Sequence, residues 1–80
     1  MDEAQIYGRL TDIFMDIFDL DSIALTPETT ADDVSGWDSL THIRLLLTVQ
    51  KAFQIKFSTA EIGKLKNVGE LVSLIHDKLN

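Results

Sequence analysis

The residue best placed for chemistry in this sequence is Ser39, in the segment GWDSLTHIRLLL that covers residues 36–47. It follows Asp38, a good N-cap candidate because its carboxylate can accept from the free N–H groups of a first helical turn. Ser39 then becomes the first helical residue, with its hydroxyl at an exposed helix N-terminus. A phosphate esterified there would lie near unpaired N–H donors and the positive end of the helix dipole. On this geometry alone, a phosphate anchor and an ordinary helix start both remain open.

Other reactive side chains form no recognisable catalytic or metal site. Ser39 and His42 are three residues apart in the predicted first turn, but no third group that would orient a catalytic pair is evident. Asp19 and Asp21 resemble the start of a calcium loop, but the later ligand and the glycine that an EF-hand requires do not follow. His42 and His76 have no metal-ligand spacing, and the chain has no cysteine. We therefore expect neither a metal site nor an enzyme.

The composition describes a small acidic protein. Its 80 residues predict a single domain over residues 1–80, and a net charge of −6 argues against nucleic acid as a partner. Residues 1–38 carry ten acidic residues and one basic residue, whereas residues 39–80 carry three acidic and six basic ones. The acidic start is unlike a signal peptide, and no apolar run approaches the ~18 residues of a membrane span. A cytoplasmic protein without a membrane partner is the expectation.

The spacing of apolar residues predicts an all-α fold, a small four-helix bundle with three main helices and one short one. The pair Asp2 and Gln5 has the spacing that caps the first helix. A long connection over about residues 20–38 is expected to pack on the core with its own side chains, and Trp37 is interpreted as a packing residue. The apolar positions of the first helix follow helical spacing: Ile6, Leu10, Ile13, Phe14, Ile17 and Phe18.

The second helix is predicted to run from about Ser39 to Phe53 and to be buried on most of its circumference. Its polar residues form one narrow stripe: Thr41, Arg44, Thr48 and Lys51. Its apolar residues occupy most of the remaining surface: Ile43, Leu45, Leu46, Leu47, Val49 and Phe53. Two further capping pairs, Ser58 with Glu61 and Asn67 with Glu70, open the short third helix and the last helix.

Taken in order along the chain, these features resemble the acyl carrier protein family over the whole sequence. The residues that carry the resemblance are GWDSLTHIRLLL and the later AFQIKFSTAEIGKLKNVGELVSLI. The resemblance implies that Ser39 carries a covalent 4′-phosphopantetheine arm, added from coenzyme A by a phosphopantetheinyl transferase. It also implies that Asp38 presents Ser39 to the transferase and its magnesium, and that Leu40 is a half-exposed apolar contact for partners. The arm ends in a thiol that holds acyl groups as thioesters, which supplies the thiol that a cysteine-free chain lacks.

The sequence departs from the family on the second helix. Family members commonly carry acidic residues on its exposed face, where the basic patches of partner enzymes dock; here that face holds Thr41, Arg44, Gln50 and Lys51. Such a cationic stripe would repel those patches. We therefore predict that Arg44 and Lys51 face dedicated partners of a specialised biosynthetic or lipid pathway, and not the enzymes of ordinary fatty-acid synthesis. Fatty acid or polyketide biosynthesis is the broad class of pathway expected. Gln54 also replaces the glycine that is frequent after the helix-ending phenylalanine.

The flank of the second helix holds the candidates for a cavity that shelters an acyl chain. These are His42, Leu46 and Val49, although a core-edge histidine is the simpler interpretation of His42. The overall prediction is a monomeric, non-catalytic acyl carrier protein whose partners are the transferase and the acyl-loading and acyl-processing enzymes. The alternatives are a peptidyl or aminoacyl carrier protein, and a small helical interaction domain whose serine is never modified.

Overall fold

The computed structural model describes residues 1–79, and its regular structure is helical throughout that range. The four α-helices are α1 (Glu3–Ile17), α2 (Ser39–Phe53), α3 (Thr59–Gly63) and α4 (Val68–Leu79). A short 3-10 turn, Ala31–Asp33, interrupts the long connection between α1 and α2. The predicted four-helix architecture is confirmed. None of the helices within residues 1–79 is long and apolar enough to cross a membrane.

Three capping pairs mark the helix starts, and two of them form as predicted. The Asp2 carboxylate accepts from the Gln5 N–H at 2.9 Å, and the Gln5 side chain accepts from the Asp2 N–H at 3.0 Å. Ser58 and Glu61 exchange the same two bonds. The pair at α4 is only half formed, because Asn67 caps the Glu70 N–H while the Glu70 carboxylate accepts from the N–H of Lys66. That carboxylate ties the α3–α4 link to the first turn of α4.

The core lies where α1 packs against α2 and α4. Its residues follow the predicted apolar spacing of those helices, with one addition from the long connection. The buried hydrophobic residues are Ile6, Leu10, Phe14, Val34, Leu45, Leu46, Val49, Phe53, Val68, Leu71, Val72 and Ile75.

The burial of α2 differs from the prediction. Leu45, Leu46 and Val49 are buried, but Ile43 and Leu47 leave 57% and 62% of their surface exposed. A bundle with only two other long helices covers one face of α2 and has nothing left to cover the other. The expectation that α2 is buried on most of its circumference is therefore wrong, and this helix is amphipathic about a single face.

The long connection is anchored to the body of the protein, as the sequence suggested. Val34 is buried, and partly buried Leu20, Ile23 and Leu25 pack against the core. Two of its carbonyl groups also cap α4: the oxygen of Pro27 accepts from the Gly69 N–H at 2.9 Å, and that of Thr29 from the Val68 N–H at 2.8 Å. Backbone N–H groups at a helix start have no partner within the helix, so the connection satisfies donors that α4 cannot satisfy itself.

Candidate functional site

The site begins with the N-cap of α2, which forms as predicted. One oxygen of the Asp38 carboxylate accepts from the N–H groups of Leu40 and Thr41 at 3.0 and 2.9 Å. The Thr41 hydroxyl in turn accepts from the Asp38 N–H at 2.8 Å. The Thr41 N–H, then the Thr41 hydroxyl, which donates to the same carboxylate oxygen at 3.2 Å, and the Leu40 N–H stabilise the charged form of Asp38. They hold the pKa of the Asp38 carboxyl below its usual value.

Ser39 is the first residue of α2, and its side chain is exposed. No hydrogen bond within residues 1–79 occupies its hydroxyl, so the oxygen is accessible to an incoming group. Fewer unpaired N–H donors lie beside it than the sequence suggested. Asp38 already accepts from the N–H groups of Leu40 and Thr41 through its carboxylate, and from that of His42 through its carbonyl. Accessibility, rather than a ready-made anion pocket, distinguishes this serine.

The turn before Ser39 is held in place from both sides. Gly36 has a φ of +89°, a left-handed conformation that glycine adopts without steric cost. Its carbonyl accepts from the Thr41 hydroxyl at 2.8 Å. Trp37 packs edge-on against Phe14 with ring centroids 5.2 Å apart, as expected of a packing residue. The position of Ser39 is thus fixed by the α2 cap on one side and by the core on the other.

Trp37 also makes a contact that the sequence did not predict. Its indole Nε1–H donates to the Nδ1 of His42 at 3.0 Å. The two rings are nearly parallel, at 26°, with centroids 5.9 Å apart. The five-residue separation across a turn and a helix start follows no familiar pairing rule, so this bond becomes visible only once the turn has folded. It joins the first turn of α2 to the aromatic cluster of Phe14, Phe18 and Trp37.

A cavity of about 390 Å³ opens beside Ser39, between the start of α2 and the α3–α4 link. His42 and Leu46, two of the three cavity candidates, lie on its wall. Val49, the third, is fully buried in the core and does not line this cavity. The remaining lining residues come from the 3-10 turn, the α2 cap, the α3–α4 link and α4: Ala31, Trp37, Asp38, Leu65, Lys66, Asn67 and Leu71.

The outer face of α2 continues from Ser39 along the surface. Leu40 is 71% exposed, and with Ile43 and Leu47 it forms an apolar stripe at helical spacing. Arg44 and Lys51 are exposed on the same helix, which contains no acidic residue. We call these five residues the α2 outer face. The sequence identified Leu40, Arg44 and Lys51 for this face but assigned its two other members to the core.

Gln50 was expected on the exposed face, and the structure corrects this. Its side chain is half-buried, and its amide donates to the Leu46 carbonyl at 3.1 Å and accepts from the Phe57 N–H at 2.9 Å. Gln50 therefore holds the link between α2 and α3 and does not belong to the α2 outer face. Gln54, the C-cap of α2, has a φ of +56°, the left-handed position where glycine is frequent.

Comparisons with known proteins agree with this geometry. Residues 8–75 match the family described as phosphopantetheine attachment site. The acyl carrier protein of Thermotoga maritima is 29% identical over 75 residues, which cover 94% of this chain and 93% of the relative. That of Aster yellows witches'-broom phytoplasma is 30% identical over 70 residues, covering 88% of this chain and 92% of the relative.

A solved structure extends the likeness to three dimensions. The solution structure of the holo acyl carrier protein of Geobacter metallireducens superposes with a TM-score of 0.85 at 48% identity, covering 91% of this chain and 84% of that one. Family match, relatives and fold agree with the resemblance carried by the Asp38–Ser39–Leu40 motif. The chain therefore belongs to the acyl carrier protein family, the carriers with a phosphopantetheine attachment site.

Proposed function

We propose that Ser39 is the residue to which 4′-phosphopantetheine is attached, and that the protein carries acyl groups for a specialised biosynthetic or lipid pathway. The observation that carries this is the Ser39 hydroxyl, exposed and unbound at the start of α2 and beside a cavity. The residues fit the group, since the exposed Ser39 hydroxyl makes no hydrogen bond within residues 1–79 that a phosphodiester would have to break. When bound, the arm supplies a terminal thiol that holds acyl groups as thioesters.

The chain's own part in attachment is to present one oxygen. The Ser39 hydroxyl loses its proton and forms an O–P bond, while the pyrophosphate bond of coenzyme A breaks and adenosine 3′,5′-bisphosphate leaves. Asp38 fixes the first turn and stays ionised beside the serine, where a transferase-bound magnesium ion would find a carboxylate. We assign the catalysis of attachment to the transferase and none to this protein, which acts as a cytoplasmic monomer.

Mass spectrometry tests the attachment residue. Incubated with coenzyme A and a broad-specificity phosphopantetheinyl transferase, the purified protein should gain one phosphopantetheine, and Ser39→Ala should gain none. Ser35→Ala is the matched control, because Ser35 is also exposed and lies in the same turn region. Modification of Ser39→Ala at another serine would contradict the assignment, and an unmodified wild-type protein would contradict the function.

We further propose that Leu40, Arg44 and Lys51 contact the acyl-loading and acyl-processing partners. The support is that they are exposed beside Ser39 on a helix without acidic residues. Charges at a docking surface act mainly on partner choice and association rate. A partner with a basic docking patch would meet Arg44 and Lys51 with like charge, which favours a dedicated set of enzymes over those of ordinary fatty-acid synthesis.

Loading by an acyltransferase of ordinary fatty-acid synthesis tests this charge preference. Reversing the charge in Arg44→Glu should raise kcat/KM for that enzyme by about three- to tenfold, because repulsion at the docking surface is removed. Lys64→Glu makes the same change in net charge away from α2 and should leave kcat/KM unaltered. Equal effects of both variants would mean that Arg44 belongs to a solvated surface without partner selectivity.

A further inference from the structure

The bond between Trp37 and His42 fixes which nitrogen of the imidazole carries the proton. An indole N–H can only donate, so the Nδ1 of His42 at 3.0 Å accepts and is unprotonated. The neutral ring then carries its hydrogen on Nε2. In this arrangement His42 presents a donor, and not an acceptor, at its free edge.

That donor has no hydrogen-bond partner within residues 1–79. Trp37 Nε1 is the one side-chain partner of His42 within residues 1–79. The His42 ring is half-buried, yet no fully buried side-chain nitrogen or oxygen of the described chain lacks a partner. The Nε2–H of His42 is therefore accessible, on a residue that lines the cavity beside Ser39.

Apolar side chains make up much of the remaining cavity wall, which also includes Asp38, Ser39 and Lys66. Leu46, Leu65 and Leu71 line it together with the Trp37 ring. The side chain of Asn67 lies on the wall too, but its oxygen already accepts from the Glu70 N–H. The hydrocarbon part of an acyl chain can pack against such a wall. A saturated chain that covered the His42 Nε2–H, however, would remove water from this donor without offering it an acceptor.

We propose that His42 selects the carried group: the cavity favours acyl chains that bear a keto or hydroxyl oxygen over saturated chains of the same length. The oxygen accepts from the His42 Nε2–H while the chain contacts the leucines. Trp37 is a positioning residue, which holds the imidazole in the donating tautomer. This inference rests on the proposed attachment at Ser39 and names the class of cargo for that site.

NMR of the histidine ring nitrogens tests the proposal directly. Apo, holo, hexanoyl, 3-oxohexanoyl and 3-hydroxyhexanoyl forms of the protein are compared, each loaded enzymatically and checked by mass. The Nε2 signal of His42 should shift in the two oxygenated forms and stay near its holo position in the hexanoyl form. The Nδ1 signal should change little, because Trp37 keeps its bond. Equal shifts in all acyl forms, or the full shift already in the holo form, would overturn the proposal.

A variant separates donation from packing. In His42→Asn the amide oxygen can still accept from the Trp37 Nε1–H, but the shorter side chain has no donor at the position of the His42 Nε2–H. Protection of the 3-oxohexanoyl thioester from hydrolysis, relative to the same thioester on free pantetheine, should fall about fivefold. Protection of the hexanoyl thioester should not change. An equal loss for both thioesters would assign His42 a packing role only.

Failure of the proposed attachment at Ser39 and failure of the cargo preference give different experimental results. If the proposed attachment is wrong, either no holo form is obtained or Ser39→Ala is modified like the wild type. If only the cargo preference is wrong, the holo and acyl forms are obtained but the ring signals do not discriminate between them. Should His42→Asn not fold, the ring signals of the wild-type protein decide.

Discussion

The contact between α4 and the long connection makes a sharp prediction about Gly69. A Cβ placed on this residue would lie 2.9 Å from both the Cβ and the carbonyl oxygen of Pro27, and 3.0 Å from its Cα. Ordinary contacts between such atoms need about 3.5 Å or more. The atoms in the way belong to the backbone and to a rigid ring, so in Gly69→Ala the connection itself has to move away from α4.

The size of the effect follows from three contributions. Overpacking of this kind typically costs about 1–3 kcal/mol. The same movement stretches the bonds that the Gly69 and Val68 N–H groups donate to the connection, and each such bond contributes about 1 kcal/mol. Alanine regains about 1 kcal/mol through its better helix propensity. The net expectation is a loss of about 2 kcal/mol, which lowers the Tm of a domain of this size by about 10 °C.

Thermal and urea unfolding followed by circular dichroism would measure this loss. Gly8→Ala is the matched control, because Gly8 lies inside α1 and a Cβ there meets nothing within 4 Å. That variant should be more stable than the wild type by up to about 1 kcal/mol. If Gly69→Ala were also stabilised, the close approach of Pro27 to α4 would not exist in solution and the reasoning would be refuted.

Three further predictions concern the ends of α2. Folding lowers the pKa of the Asp38 carboxyl, so its carboxylate stabilises the folded state at pH values above its ordinary pKa near ~3.9. This stability is lost as the pH falls through the pKa of the folded state. Unfolding of Asp38→Asn, measured between about pH 5 and about pH 3, should therefore depend less on pH than that of the wild type. Gln54→Gly should raise the free energy of unfolding by about 1 kcal/mol, since it relieves a left-handed conformation; an unchanged urea midpoint would argue against strain there. Gln50→Ala should lower it by about 1–3 kcal/mol, because the Phe57 N–H loses its acceptor, whereas Gln54→Ala, with an exposed side chain, should change it much less.

Local signals in the sequence account for most of the fold. The N-cap residues Asp38 and Ser58 predicted the starts of α2 and α3 correctly, because an N-cap acts within one helical turn. The motif around Ser39 and the cavity positions of His42 and Leu46 followed from helix geometry combined with the family resemblance. Their roles in attachment and in sheltering cargo remain predictions.

The features that the sequence did not reveal all depend on contacts between distant segments. The side of α2 that is covered is decided by the number of neighbouring helices, and helical spacing alone could not show that Ile43 and Leu47 stay outside. The bond from Trp37 to His42 requires the turn at Gly36 to bring two rings together. The caps that Pro27 and Thr29 provide to α4 join residues about forty positions apart, which no pattern of adjacent residues encodes.

The anchoring of the long connection also restricts how its length can vary among relatives. Each anchor fixes a register: Pro27 and Thr29 must meet α4, Val34 must reach the core, and Gly36 must turn the chain into α2. An insertion or deletion between these points would displace every anchor that follows it. Length changes are therefore expected in the exposed stretch around Asp21 and Ser22, before the first anchor to α4. The long connection is thus expected to consist of two parts, an entry segment that tolerates length changes and an anchored segment that sets the position of Ser39.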